Sequence, residues 1–189
     1  MNGAEGAQGP RERFEGIVQD YHAKIFNFLC YMLGDREEAA DLTQDVFVRA
    51  YAAFSSFRGE AQVYTWLSRI ARNLAINRAK RLQRERRAQW FSLQAQEQEP
   101  EVVTADNQPP PGEALESQEV QKTVRLALSA LPSDLKEVIV LRDIQGFSYE
   151  EMCQIMGCSL QALKSRLFRA RAALRQRLEP MLEGGEGRG

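Results

Sequence analysis

The stretch SYEEMCQIMGCSLQALKSRLFRARAALRQR, residues 148–177, decides how the chain is read. Ser148 followed three residues later by Glu151 is a capping box, in which each side chain satisfies the other residue's free backbone N–H. Met152, Ile155 and Met156 then form one apolar stripe at helical spacing. Gly157 stands where a helix end needs a left-handed residue, and Ser159 is placed to cap a second helix. Leu160, Leu163, Leu167, Ala170 and Leu174 give that helix a core face. Its other face holds Lys164, Arg166, Arg169, Arg171, Arg175 and Arg177, with no acidic residue between Lys164 and Arg177. A short helix, a Gly turn and a basic helix make the pattern of a helix-turn-helix, whose second helix lies in the major groove. The plainer alternative is a solvated basic face on a helical hairpin.

The 189 residues suffice for one large or two small domains. The net charge of −1 argues by itself against a nucleic-acid binder. The charge is segregated, however. Arg69, Arg72, Arg78, Lys80, Arg81, Arg84, Arg86 and Arg87 are opposed in their segment only by Glu85. Between Phe91 and Glu119 there are seven acidic residues and no Lys or Arg. Two basic blocks therefore flank an acidic one. No apolar run approaches membrane-spanning length, and residues 1–10 lack the apolar core of a signal peptide, so a cytoplasmic protein is expected. Cys30, Cys153 and Cys158 are too sparse for a disulfide framework and, with His22 the only histidine, make no zinc spacing. Buried reduced thiols are expected, with a Cys153–Cys158 redox pair as the alternative. No phosphate loop, nucleophile motif or acid–base pair is present, so no enzyme, cofactor, metal or small-molecule substrate is expected.

The spacing predicts all-α architecture. Residues 1–12 read as a disordered tail. Phe14, Ile17, Val18, Tyr21, Ile25, Phe28, Leu29 and Met32 mark a first helix ending near Gly34. Asp35 with Glu38 reads as a second capping box, opening a helix whose core stripe is Leu42, Val46, Phe47, Ala50, Tyr51 and Phe54. Asp41, Gln44 and Asp45 are neighbours on its opposite face. They are either ordinary polar surface or an acidic patch for a basic partner helix. After a turn at Phe57-Arg58-Gly59, a third helix carries Ile70, Leu74 and Ile76 on its core face and Arg69, Arg72, Asn73, Asn77 and Arg78 off it. Tyr64 and Trp66, interleaved with these, suit stacking on single-stranded bases; core packing explains them equally well. Residues 91–116, with Pro109-Pro110-Pro111-Gly112, read as a linker. Helical periodicity resumes at residue 117, Pro132 stops that helix, and Ser133 is placed to cap another that ends at Gly146. Pro180 closes the last helix, leaving residues 181–189 as a flexible tail.

Taken in order, these residues resemble the extracytoplasmic-function (ECF) group of bacterial RNA polymerase sigma factors. The resemblance rests on Ala40 to Phe47, on Phe57-Arg58-Gly59 through Tyr64-Thr65-Trp66-Leu67, on Leu128 to Pro132, on Gly146 to Glu151 and on Lys164 to Arg171. It implies two small helical domains joined by a flexible linker: region 2 at residues 13–90 and a region 4 helix-turn-helix at residues 117–180. It implies that Asp41, Gln44 and Asp45 bind the clamp helices of the polymerase β′ subunit, with the β subunit as a further contact. It implies that Arg58, Tyr64, Trp66, Arg69, Arg72, Asn73, Asn77 and Arg78 read and melt the −10 element. Lys164, Ser165, Arg166 and Arg169 would face the −35 element, with Arg142 and Arg171 on phosphates. An anti-sigma partner is the family expectation. Gln161-Ala162-Leu163 departs from the Gly-Thr-Val step usual at the start of the recognition helix, and so removes a hydroxyl there.

Two other classes remain open from the residues: a one-component helix-turn-helix repressor or activator, and a helical adaptor. The second basic block distinguishes the sigma reading from both. Roughly 25 residues of coil span about 25–30 Å, and about 80 Å when extended, whereas promoter elements one and a half to two turns apart lie ~50–70 Å apart. Deleting about ten linker residues is expected to abolish promoter-specific initiation while leaving each domain folded; runoff transcription with core polymerase, alongside circular dichroism, checks it.

Overall fold

The computed structural model describes residues 9–57, 59, 62–93 and 115–183. Of the tail expected at residues 1–12, residues 1–8 lie outside the described residues, as do Arg58 and most of the expected linker, whereas Pro10, Arg11 and Glu12 already belong to the first helix. Among the described residues there are seven α-helices and one π turn, and no strand.

α1 (Pro10–Leu33) begins with Pro at its first position, where the missing N–H costs nothing. The Glu12 carboxylate accepts from the Gly9 N–H at 3.1 Å. The helix ends at Gly34, whose φ of 76° allows its N–H to reach the Cys30 carbonyl. α2 (Arg36–Phe54) is capped by Asp35, which accepts from the Glu38 N–H at 3.0 Å. The reciprocal half of the expected capping box is not made. Glu38 turns instead to Arg78 of α3 (Val63–Leu93) in a two-pronged ion pair. A tertiary charge-assisted contact has prevailed over a local one.

These three helices form the N-terminal bundle. Ile25, Phe28, Leu29, Val46, Leu67 and Ala71 are wholly out of water at its centre. Phe14 closes one end by edge-on contacts with Phe47, Tyr51 and Phe54 at 5.2–6.5 Å between ring centroids.

The C-terminal bundle comprises α4 (Leu115–Ser129), α5 (Ser133–Ile139), a π turn (Val140–Ile144), α6 (Tyr149–Met156) and α7 (Leu160–Glu183). Pro132, not Ser133, occupies the cap position of α5, and no side chain caps it. The π turn after it widens the backbone by one residue, with the Gln145 N–H bonded to the Val140 carbonyl at 2.9 Å. α6 shows both legs of its capping box: Glu151 N–H to Ser148 Oγ at 3.2 Å and Ser148 N–H to Glu151 Oε2 at 2.8 Å. Gly157, at φ 64°, brings both its own N–H and that of Cys158 to the Cys153 carbonyl. Ser159 Oγ then accepts from the Ala162 N–H at 3.3 Å, so α7 starts on a serine cap without the family's threonine. α7 buries Leu163, Leu167 and Ala170 against α5 and α6. Pro180 lies inside α7, which continues to Glu183 rather than closing at the proline.

The two bundles touch. α3 packs on α6, and α1 meets α4, α5 and the π turn. Buried apolar residues of both belong to one continuous cluster.

Nothing lies within 4 Å of the position a Cβ would take on Gly157. Gly157→Ala is therefore expected to cost only the left-handed strain of an L-residue, about 1–2 kcal/mol, read as a lowered urea midpoint with unchanged m-value.

Candidate nucleic-acid interface

The helix-turn-helix geometry sets the first surface. Burial of Leu163, Leu167 and Ala170 turns Lys164, Ser165, Arg169 and Arg175 outward, all exposed. Arg166 is half-buried. Arg171 is exposed but committed, donating to both carboxylate oxygens of Asp143 at 2.6 and 3.2 Å. That hydrogen bond raises its already high pKa. Arg142 serves the fold: it donates to the Phe147 carbonyl at 2.7 Å and lies 5.0 Å over the Tyr149 ring.

One residue of this surface is not evident from the sequence motifs alone. Phe168 is 77% exposed. With Tyr149, Lys164, Arg171 and Arg175 it lines a shallow groove of about 360 Å³. The signal was present in the spacing: Phe168 sits four residues after Lys164 and three before Arg171, off the core stripe.

The second surface is on α3. Arg69, Asn73 and Asn77 are exposed at four-residue intervals, so they form one row. The other expected residues of this helix have protein partners. Trp66 is 8% exposed and packs on Phe57 at 4.6 Å. Arg78 is held by Glu38. Arg72 pairs with Glu137 of α5, which is nearly fully buried. Tyr64 stacks with Tyr21 at 5.5 Å and with Phe147 at 4.7 Å, and its hydroxyl donates to Gln145. Burial pushes the Tyr64 phenol up to about 12, against a smaller opposing pull from Ser68. Thr65 donates to Glu151 at 3.2 Å. Burial alone would raise the Glu151 carboxyl, but its contacts with Ser148 and Thr65 leave it below the ordinary value.

The third surface is on α2. Asp41, Gln44 and Asp45 are exposed together. Val48, 67% exposed, and Tyr51, 55% exposed, extend the same face by one and two further turns; sequence reasoning did not find Val48 and placed Tyr51 on the core stripe. An apolar extension of an acidic patch fits a protein partner better than solvent alone.

The cysteines are unpaired and half-buried rather than fully buried. Burial raises the pKa of both Cys30 and Cys153, which disfavours their thiolates. Among the described residues no group of three or more His, Cys, Asp or Glu side chains is arranged to hold a metal ion. No described helix is long and apolar enough to cross a membrane.

Comparison with known proteins agrees with this geometry. The Sigma-70 region 2 family model matches residues 17–85, and the Sigma-70 region 4 model matches residues 121–174. The RNA polymerase sigma-H factor of Pseudomonas aeruginosa is 34% identical over 179 residues, covering 93% of this chain and 91% of that protein. The ECF RNA polymerase sigma-E factor of Haemophilus influenzae is 35% identical over 178 residues, covering 93% and 92%. Among solved structures, the sigma factor RpoE of Bartonella quintana, in complex with the anti-sigma factor NepR, superposes with a TM-score of 0.66 at 27% identity, covering 88% of this chain and 97% of that one. With both helical domains matched and the likeness extending over nearly the whole chain, this protein belongs to the sigma-70 family of RNA polymerase sigma factors, in its ECF group.

Proposed function

We propose that three separate surfaces divide the work of this sigma factor. The α2 face around Asp41, Gln44 and Asp45 docks core polymerase, with Val48 and Tyr51 as its apolar part. The α3 row Arg69, Asn73 and Asn77, joined by Arg58, Tyr64, Arg72 and Arg78, serves the −10 element, with Trp66 packed beneath it. The α7 face serves the −35 element, with Lys164, Ser165 and Arg169 towards base edges and phosphates, Arg166 and Arg171 behind them, and Arg142 bracing the turn. Phe168 adds an apolar surface suited to a thymine methyl group. The observation that carries this reading is the run of cations from Lys164 to Arg177 on α7, most of them exposed and with no acidic residue among them, in a chain of net charge −1. Such a concentration of charge fits a polyanion. The protein acts in the cytoplasm, where polymerase is, and has no catalytic role of its own. An anti-sigma protein as regulator is supported by the solved relative, which is a sigma factor in complex with one.

The test is transcription in vitro from a promoter library with core polymerase. Specific initiation that depends on the added chain supports the reading; a chain that binds duplex DNA yet neither co-elutes with core nor redirects it is a one-component regulator instead.

Lys164→Ala and Arg169→Ala are each expected to weaken binding to the selected −35 duplex by about 1–3 kcal/mol if the lost contact is bidentate. Fluorescence anisotropy against a scrambled duplex measures it, and equal loss on both duplexes would reassign the residue to phosphate contact. Asp45→Arg is expected to reduce co-elution with core polymerase while leaving −35 binding unchanged.

A further inference from the structure

The outward face of α7 begins one turn before the cations assigned above. Gln161 is exposed in the first turn of the helix, and Lys164, Ser165 and Phe168, all exposed, follow it on the chain. Their three- and four-residue intervals put all four on one stripe. Gln161 takes no part in holding the fold. Leu163 makes the core contact of that turn, and Ser159 caps it by accepting from the Ala162 N–H. Among the described residues nothing bonds the Gln161 side-chain amide. Gln161 also lies in the step where this chain departs from its family's pattern.

We propose that Gln161 is a specificity-determining residue, which selects an adenine in the −35 element through a two-pronged amide contact in the major groove. This rests on the assignment of α7 to that element.

In a helix-turn-helix the N-terminal residues of the second helix reach the base edges. Gln161 is in that turn, which holds no acidic residue to repel DNA. Its stripe advances in the three- and four-residue steps by which zinc-finger helices contact successive bases. At a rise of about 1.5 Å per residue, Lys164 lies about 4.5 Å and Phe168 about 10.5 Å further along the axis, and each base pair occupies about 3.4 Å. The adenine therefore falls within about two base pairs of the position that Lys164 sets, on the side away from the Phe168 contact.

Chemistry names the base. A Gln side chain carries a carbonyl acceptor and an amino donor on one planar group. Adenine answers with its N6 donor and N7 acceptor side by side. Guanine shows two acceptors there, cytosine a donor alone, and thymine an acceptor beside a methyl group. Only adenine matches both halves of the amide. Gln161 is neutral, so a phosphate gains no charge attraction from it, and Lys164 and Arg169 stand exposed on the same helix for that contact. A neutral amide at this place adds sorting between sequences rather than affinity for all of them.

The experiment uses the full chain assembled with core polymerase, on a promoter library randomised across the −35 element, with the retained templates sequenced. Gln161→Ala is expected to erase an adenine preference of roughly 5- to 150-fold at one base pair while preferences elsewhere stay in place. Gln161→Glu keeps the length but turns the donor into an acceptor, and is expected to move that position from adenine towards cytosine. Because Gln161 is exposed, both chains should keep their helical content and melting temperature, which circular dichroism checks; if one misfolds, the other decides. An unchanged base profile in a folded variant marks a solvated side chain, and an equal loss on every sequence marks a phosphate contact. Either overturns the proposal, as does an adenine position lying between those set by Lys164 and Phe168. Lys164→Ala and Arg169→Ala, run in parallel, separate the two layers. If neither changes −35 selection, the assignment of α7 fails; if they change it and Gln161→Ala does not, only the adenine reading fails.

Discussion

Arg72 and Glu137 are 65 residues apart in the chain and meet largely out of water. An ion pair in that position tolerates no half-measure. Either side chain left alone would be an uncompensated charge in a poor solvent. The pair therefore sets how the C-terminal bundle sits on α3. Its surroundings agree with it: the Tyr64 stack, the Thr65–Glu151 bond and the Lys136 anchor all cross the same junction. α3 consequently serves three neighbours at once. Trp66, Leu67, Ala71, Leu74 and Ala75 face its own bundle, Tyr64, Thr65 and Arg72 face the other, and Arg69, Asn73 and Asn77 face solvent.

The two basic helices look alike in sequence and differ in their electrostatic setting. On α7, Lys164, Arg169 and Arg175 stand exposed to solvent, and Asp143 engages Arg171 beside them. On α3, Glu38 and Glu137 neutralise Arg78 and Arg72. An arginine already bonded to a carboxylate attracts phosphate less than a solvated one, since it must first give up a charge-assisted bond. The free chain thus keeps Lys164, Arg169 and Arg175 of α7 solvated while Arg72 and Arg78 of α3 are already engaged, even though its net charge is close to zero.

The π turn belongs to the same design. One residue inserted into the helix that begins at Ser133 rotates the backbone from Asp143 to Phe147 relative to α5. Gln145 and Phe147 then reach Tyr64, and Asp143 reaches Arg171. One local widening thereby serves both the junction and the recognition helix.

The helices, most of their caps and the helix-turn-helix follow from local spacing in the chain. Ser148 with Glu151, Gly157 and Ser159 act within a few residues of themselves, so their roles can be read from spacing and hydrogen-bond chemistry. Apolar periodicity likewise marked most of the core faces, with Leu160 left exposed, and the segregation of charge marked the two basic helices. Which charges stay free depends instead on contacts between distant segments. Glu38 left its capping box for Arg78, Trp66 went inward, and Arg72 found Glu137 in the other domain. The two ion pairs depend on partners 40 and 65 residues away, and no helical period carries that information. A buried ion pair is a property of two surfaces brought together, and it exists only once both are folded.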